Sequence, residues 1–213
     1  MMDALKRQYG ELASAWEDGL KQEAKRSAIA FLILYLLALG LCAGIPSLRE
    51  RLISMVVGTI DSMAVTDSAG RLSALALFSN NLRACAFIML YGLIPFVLLP
   101  ALSLGMNAMI LGVLAAWYIA EGIPIAVYFA ALIPHGIFEI PSLIFAFAVG
   151  LYVCGQTTAM VKRREGAGSL WDCVSLISRA FLLVQAPLLA AAAFIEAHIS
   201  PVIASLLTGT PVV

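Results

Sequence analysis

Charge is what this sequence is shortest of. Only 12% of its 213 residues are Asp, Glu, Lys or Arg, about half the share found in soluble domains. Between Arg83 and Lys162 the only full charges are Glu121 and Glu139. A water-soluble fold would need a charged surface along that stretch and a lipid-embedded one would not, so a soluble globular domain is excluded. The 13 basic residues are balanced by 13 acidic ones. That leaves no broad polybasic field, and nucleic acid is not an expected partner. The four cysteines, Cys42, Cys85, Cys154 and Cys173, form no C-x-x-C pair and no metal-ligand spacing. They read as small apolar groups in helix packing. No nucleotide-binding glycine loop, G-x-S-x-G elbow or H-E-x-x-H is present. Nothing nominates a nucleophile, so neither an enzyme nor a cofactor is expected. The first 26 residues are charged and mixed rather than an apolar signal core, and the first span is expected to serve as its own insertion signal.

What remains is apolar: 62% of the chain is hydrophobic, in runs of about the 20 residues that cross a bilayer. The expected fold is all-α, a polytopic transmembrane helix bundle of about five spans. Residues 1–27 read as an amphipathic cytoplasmic helix, with Leu5, Tyr9, Leu12, Trp16 and Leu20 at spacings of three and four. Residues 28–46 form the first span, ended by Pro46. Residues 47–79 form an extracytoplasmic amphipathic insert, opened by the capping-box pattern Ser47-Leu-Arg-Glu50 and turned at Asp67-Ser-Ala-Gly70. The transmembrane core occupies 80–200 and a tail 201–213. Within the core, Ala84 to Ala120 holds two spans split near Pro100 to Ser103. A last span begins at the capping box Ser169-Leu-Trp-Asp172 and is expected to kink at Pro187. Its Ala186, Ala190, Ala193 and Ala197 offer a face of small residues for close helix contact.

The stretch from Ile123 to Gly155 exceeds one span and carries Pro134, His135 and Gly136. Proline removes a backbone donor and glycine weakens a helix, so a break is expected there, with Pro141 as a further helix-disturbing residue. Either two short crossings or a re-entrant half-helix followed by one full span would fit. Charge decides between them. Lys21, Lys25 and Arg26 precede the first span, and Lys162-Arg163-Arg164 is the other tight basic cluster. Both belong on the cytoplasmic side, which requires one crossing and favours the re-entrant form. The N-terminus is thus expected in the cytoplasm of a multi-pass protein of the inner (plasma) membrane.

A polar side chain in hydrocarbon costs several kcal/mol unless partnered, about 2.5–3.5 for a central carboxylate. Five residues stand out as an intramembrane polar cluster: His135, Glu139, Asn107, Glu196 and Asn81. His135 and Glu139 are four apart, on one helical face, and are expected to pair. Asn107 and Gln185 also read as interhelical hydrogen bonders, Asn80 and Asn81 as helix caps, and His198 as an interfacial residue. As metal ligands His135, Glu139 and Glu196 make an incomplete set, and no metal is expected.

Pro134-His-Gly-Ile-Phe-Glu-Ile-Pro141 resembles the Pro-His-Gly-x-x-Glu-[Leu/Ile]-Pro signature of the stage II sporulation protein M family. Asn80-Asn81, Asn107 and Ala193-Phe-Ile-Glu196 follow in that family's order, so the resemblance spans about Asn80 to Pro201. It implies a multi-span membrane protein found in bacteria and archaea. For the family's namesake in endospore formers it implies a scaffold that recruits peptidoglycan-degrading partners. Two functions follow as expectations. One is a scaffold for cell-envelope remodelling, whose partners are the lipid bilayer, other membrane or envelope proteins and further copies of itself. The other is a transporter or channel whose path is lined by His135, Glu139, Asn107 and Glu196.

Overall fold

A computed structural model describes residues 2–62, 73–200 and 202–203, without the side chains of 60–62, 131 and 135. The turn expected at Asp67 to Gly70 and almost all of the 201–213 tail therefore lie outside the described residues. Those described are helical, with no strand among them. The helices are α1 (Met2–Ala15), α2 (Lys21–Gly44), α3 (Pro46–Ser62), α4 (Ala74–Tyr91), α5 (Leu99–Ala120), α6 (Ile125–Val161), α7 (Leu170–Ala180) and α8 (Ala186–His198). One wide turn, Trp16–Leu20, joins α1 to α2, and another, Phe181–Gln185, joins α7 to α8. Five helical stretches are long and apolar enough to cross a membrane: Met2–Gly44, Ala74–Tyr91, Leu99–Ala120, Gly136–Val161 and Leu170–His198.

Proline position explains where the observed elements depart from those expected. The α4–α5 connection falls at residues 92–98, not at Pro100 to Ser103, and Pro100 lies in the first turn of α5. A first-turn proline gives up a backbone donor that has no intrahelical partner anyway, so it starts a helix rather than ending one. Pro46 likewise opens α3, which places Ser47 inside the helix instead of at its cap. The break expected at Pro134 to Gly136 is absent. Residues 125–161 form one helix that contains Pro134, Gly136 and Pro141, and the chain makes no re-entrant reversal there. An interior proline costs about 3 kcal/mol, and membrane helices absorb it through their neighbours. The start of α6 is tied to α5 by Tyr128, which donates to the Leu111 carbonyl at 3.1 Å and meets the Tyr118 ring edge-on at 5.6 Å. At 37 residues the helix is about 55 Å long, longer than a hydrocarbon core about 30 Å thick, and its Gly136–Val161 part is the stretch long and apolar enough to cross.

The chain divides into two compact units, residues 1–30, 82–104 and 141–188 in one and 31–81, 105–140 and 189–213 in the other. The N-terminus and connections 92–98 and 162–169 fall in the first. The connection at 45, the 121–124 turn and α8 from residue 189 fall in the second. Lys162-Arg163-Arg164 thus share a unit with the N-terminal basic residues, and on a five-crossing path positions 47 and 165 face opposite sides of the membrane. A cysteine placed at Ser47 and one placed at Glu165, both exposed positions, should then react with an impermeant thiol reagent from opposite faces of the membrane. Labelling from the same face would overturn the five-crossing path.

In the first unit α4 and α6 approach backbone to backbone. A Cβ at Gly150 would stand 2.7 Å from the Ile88 carbonyl oxygen and 2.9 Å from the Pro100 ring. The carbonyls and amides left open at the end of α4 are taken up by α6: Thr157 Oγ1 donates to the Gly92 carbonyl at 3.1 Å, and the Phe96 amide donates to Thr158 Oγ1 at 3.0 Å. Phe96 holds a positive φ of 66°, and Lys162 Nζ sits 5.5 Å from its ring centre. In the second unit, Gly112 of α5 gives α2 the same kind of access, with Tyr35 and Ala38 at the position a Cβ would fill. There α3 folds back beside α2 and buries Val56 with Cys42, Val113 and Ala116. Its other side leaves Glu50, Arg51, Met55 and Val57 exposed. On α2 the exposed Ile29, Leu32, Ile33, Leu36, Leu37 and Leu41 recur at helical spacing, as a face turned to lipid does.

Candidate functional site

Asn81, Asn107, Glu139 and Glu196 all belong to the second compact unit, and so does position 135, whose side chain lies outside the described residues. They come from four helices: Asn81 from α4, Asn107 from α5, Glu139 from α6 and Glu196 from α8. All four side chains are half-buried. Local register accounts for Glu139. It lies one turn before Ser142, on the stripe that continues through the buried Ala146, Val149 and Val153. Glu196 likewise extends the stripe formed by the buried Gln185, Leu189, Ala192 and Ala193.

That second stripe corrects the small-residue face expected on the last span. Ala190 points outward while Ala193 is buried, and Leu189 and Ala192 share the inner side. The wide turn at Phe181–Gln185, just before Pro187, interrupts the regular register. Within α8 the inward face follows Leu189, Ala192 and Ala193, and the exposed Ala190 lies off it.

Glu139 and Glu196 lie within electrostatic reach of each other. Asn107 and Glu139 each have a polar or electrostatic partner, whereas the side-chain bond of Asn81 is to its neighbour Asn80, at 3.5 Å. Of the five residues singled out, Glu139 and Glu196 thus interact electrostatically. Asn81 and Asn107 share the unit with these two acids. Among the described residues no three His, Cys, Asp or Glu side chains converge as metal ligands.

Two further polar contacts join helices. Gln185, expected as an interhelical hydrogen bonder, is fully buried. It donates from Nε2 to the Ser142 carbonyl at 2.9 Å and accepts from the Ser142 hydroxyl, joining the last span to α6. The other contact centres on Arg179, the only full charge between Asp172 and Glu196. It pairs with Glu11 of α1 and donates from Nε to Gln8 Oε1 at 2.7 Å. One isolated charge in a long apolar run was the available signal, since such a group requires a partner. Nearby, the expected capping box at Ser169 and Asp172 is formed in both directions. Beneath α1 lies a cleft of about 350 Å³ lined by Glu11, Asp18, Tyr152, Gln156, Cys173 and Arg179, among others.

Comparison with known proteins points the same way as the motif residues. The sequence model of the family described as Stage II sporulation protein M matches residues 27–201, a range that contains all five polar residues and leaves out α1. An uncharacterized protein of Methanocaldococcus jannaschii is 30% identical over 133 residues, which is 62% of this chain and 73% of that one. No solved structure is significantly similar.

Proposed function

We propose, on the premise that this chain belongs to the stage II sporulation protein M family, that it is a non-catalytic scaffold of the plasma membrane. In this reading its N-terminus lies in the cytoplasm, and the far face of the bundle recruits proteins that remodel the cell envelope, peptidoglycan enzymes among them. The observation that carries the reading is the two-sidedness of α3. Val56 anchors it against α2 and α5, and Glu50, Arg51, Met55 and Val57 are left exposed on a helix already fixed in place. A rigidly held helix with apolar and charged groups on its free side loses little entropy when a partner docks.

A photo-reactive residue at Met55 tests this. Crosslinking in cells should give a discrete adduct containing a peptidoglycan-acting enzyme, and Arg51→Glu should abolish it. Adducts with lipid or with further copies of the chain alone would count against the scaffold.

A transport reading draws on one different observation, the mutual proximity of Glu139 and Glu196 within helices that belong to membrane spans. Carboxyl groups within membrane spans are a recurring feature of proton and cation pathways.

A further inference from the structure

The N-terminal helix α1 is fastened to the first unit in an unusual way. The chain turns out of α1 at Gly19, whose φ of 130° is one that side-chain-bearing residues rarely adopt. Its apolar contribution is small: Leu12 and Leu20 are buried, and Trp16 meets Phe145 with ring centres 6.4 Å apart. Two clefts open along the seam. One, of about 350 Å³, has Glu11, Ser14 and Asp18 of the N-terminal segment as one wall and Tyr152, Gln156 and Cys173 as the other. The second, of about 360 Å³, lies among Leu12, Trp16, Leu20, Phe145 and Val184. Both clefts are open to the surface, so α1 meets its neighbours through a few side chains with open space to either side. What closes the seam is polar: Arg179 holds both Glu11 and Gln8. Glu11 and Arg179 also line the first cleft, so the fastening and the opening coincide. The family match begins only at residue 27, so the family core does not include this helix.

We propose that α1 is a hinged cover, latched by Arg179 and swinging about Gly19, that governs access from water to the cleft lined by Tyr152, Gln156 and Cys173. Releasing the latch separates the Glu11 wall from the Cys173 wall and needs no rearrangement of α4 to α7. Because the Glu11 side chain is partly exposed at 42%, salt should weaken the latch.

Cys173 is a native reporter, buried at 4% exposure on the cleft wall. The test uses the full chain in proteoliposomes with the other three cysteines replaced by Ala, and a water-soluble maleimide. Glu11→Gln and Arg179→Gln should each speed labelling of Cys173 by about tenfold, the scale of losing a charge-assisted contact, and raising the salt should speed the parent. A second background retaining only Cys154, buried at 1%, separates opening from unfolding. Its labelling should stay unchanged in both variants. Unchanged Cys173 rates would overturn the cover. So would Cys154 accelerating in step with Cys173, since the pair would then hold the fold together rather than gate the cleft.

Discussion

Gly150→Ala is expected to lower the thermal stability of the detergent-solubilised protein by several degrees, while Gly155→Ala, five residues along the same helix, leaves it unchanged or raises it. The contrast isolates packing from propensity. Both substitutions replace glycine by the best helix former, a gain of up to about 1 kcal/mol. At Gly155 the new methyl meets nothing within 4 Å, so that gain stands alone. At Gly150 it arrives 2.7 Å from the Ile88 carbonyl oxygen and 2.9 Å from the Pro100 ring, and neither is the free end of a flexible side chain. Relief requires α4 and the start of α5 to move away from α6. That movement would stretch the bond from Thr157 to the Gly92 carbonyl, now 3.1 Å. Overpacking of this kind costs about 1–3 kcal/mol, occasionally more, and outweighs the propensity term. Membrane helices depend on close backbone approach because lipid supplies no hydrophobic force between them. Equal melting of the two variants would show that the α4–α6 contact is loose.

How much of this arrangement the sequence discloses depends on which physical effect writes the signal. Hydrophobic runs place the spans because every residue of a membrane helix contributes to them, and the capping box at Ser169 is legible because it is entirely local. The prolines mislead for the converse reason. Pro100 and Pro134 carry identical local chemistry, yet one starts α5 and the other lies within α6, and the residue type alone does not say which helix position a proline takes. The Gly150–Ile88 approach and the Arg179–Glu11 pair join residues far apart in sequence, so nothing in either local stretch names the other. Arg179 alone could have been flagged as a charge in need of a partner. Of the polar cluster, the sequence supplies the membership through energetic cost and motif. The grouping in one unit, and the nearness of Glu139 to Glu196, come from the fold.

Glu139 is where the two functional readings part, and three substitutions separate them. Glu139→Gln keeps the volume and one acceptor oxygen while removing the ability to carry charge or a titrating proton. If the carboxyl group only satisfies neighbours, the variant should melt within a few degrees of the parent, recruit the same envelope partners and leave ion flux unaltered. If it carries a proton or cation, the variant should fold normally and lose flux into proteoliposomes essentially completely, since no second acid on α6 can replace it. Glu196→Gln should then lose flux as well, because both carboxyl groups lie in one field. Glu139→Leu is the harsh version. Glu139 has a polar or electrostatic partner, and an apolar side chain strands it. An unsatisfied buried polar group costs about 1–3 kcal/mol, so this variant should be the least stable of the three, in either reading. Detergent melting checks the stability order, and dye-reported flux in proteoliposomes checks the function. If Glu139→Leu matched the parent in both assays, Glu139 would be a tolerated passenger, and the intramembrane polar region would carry neither function.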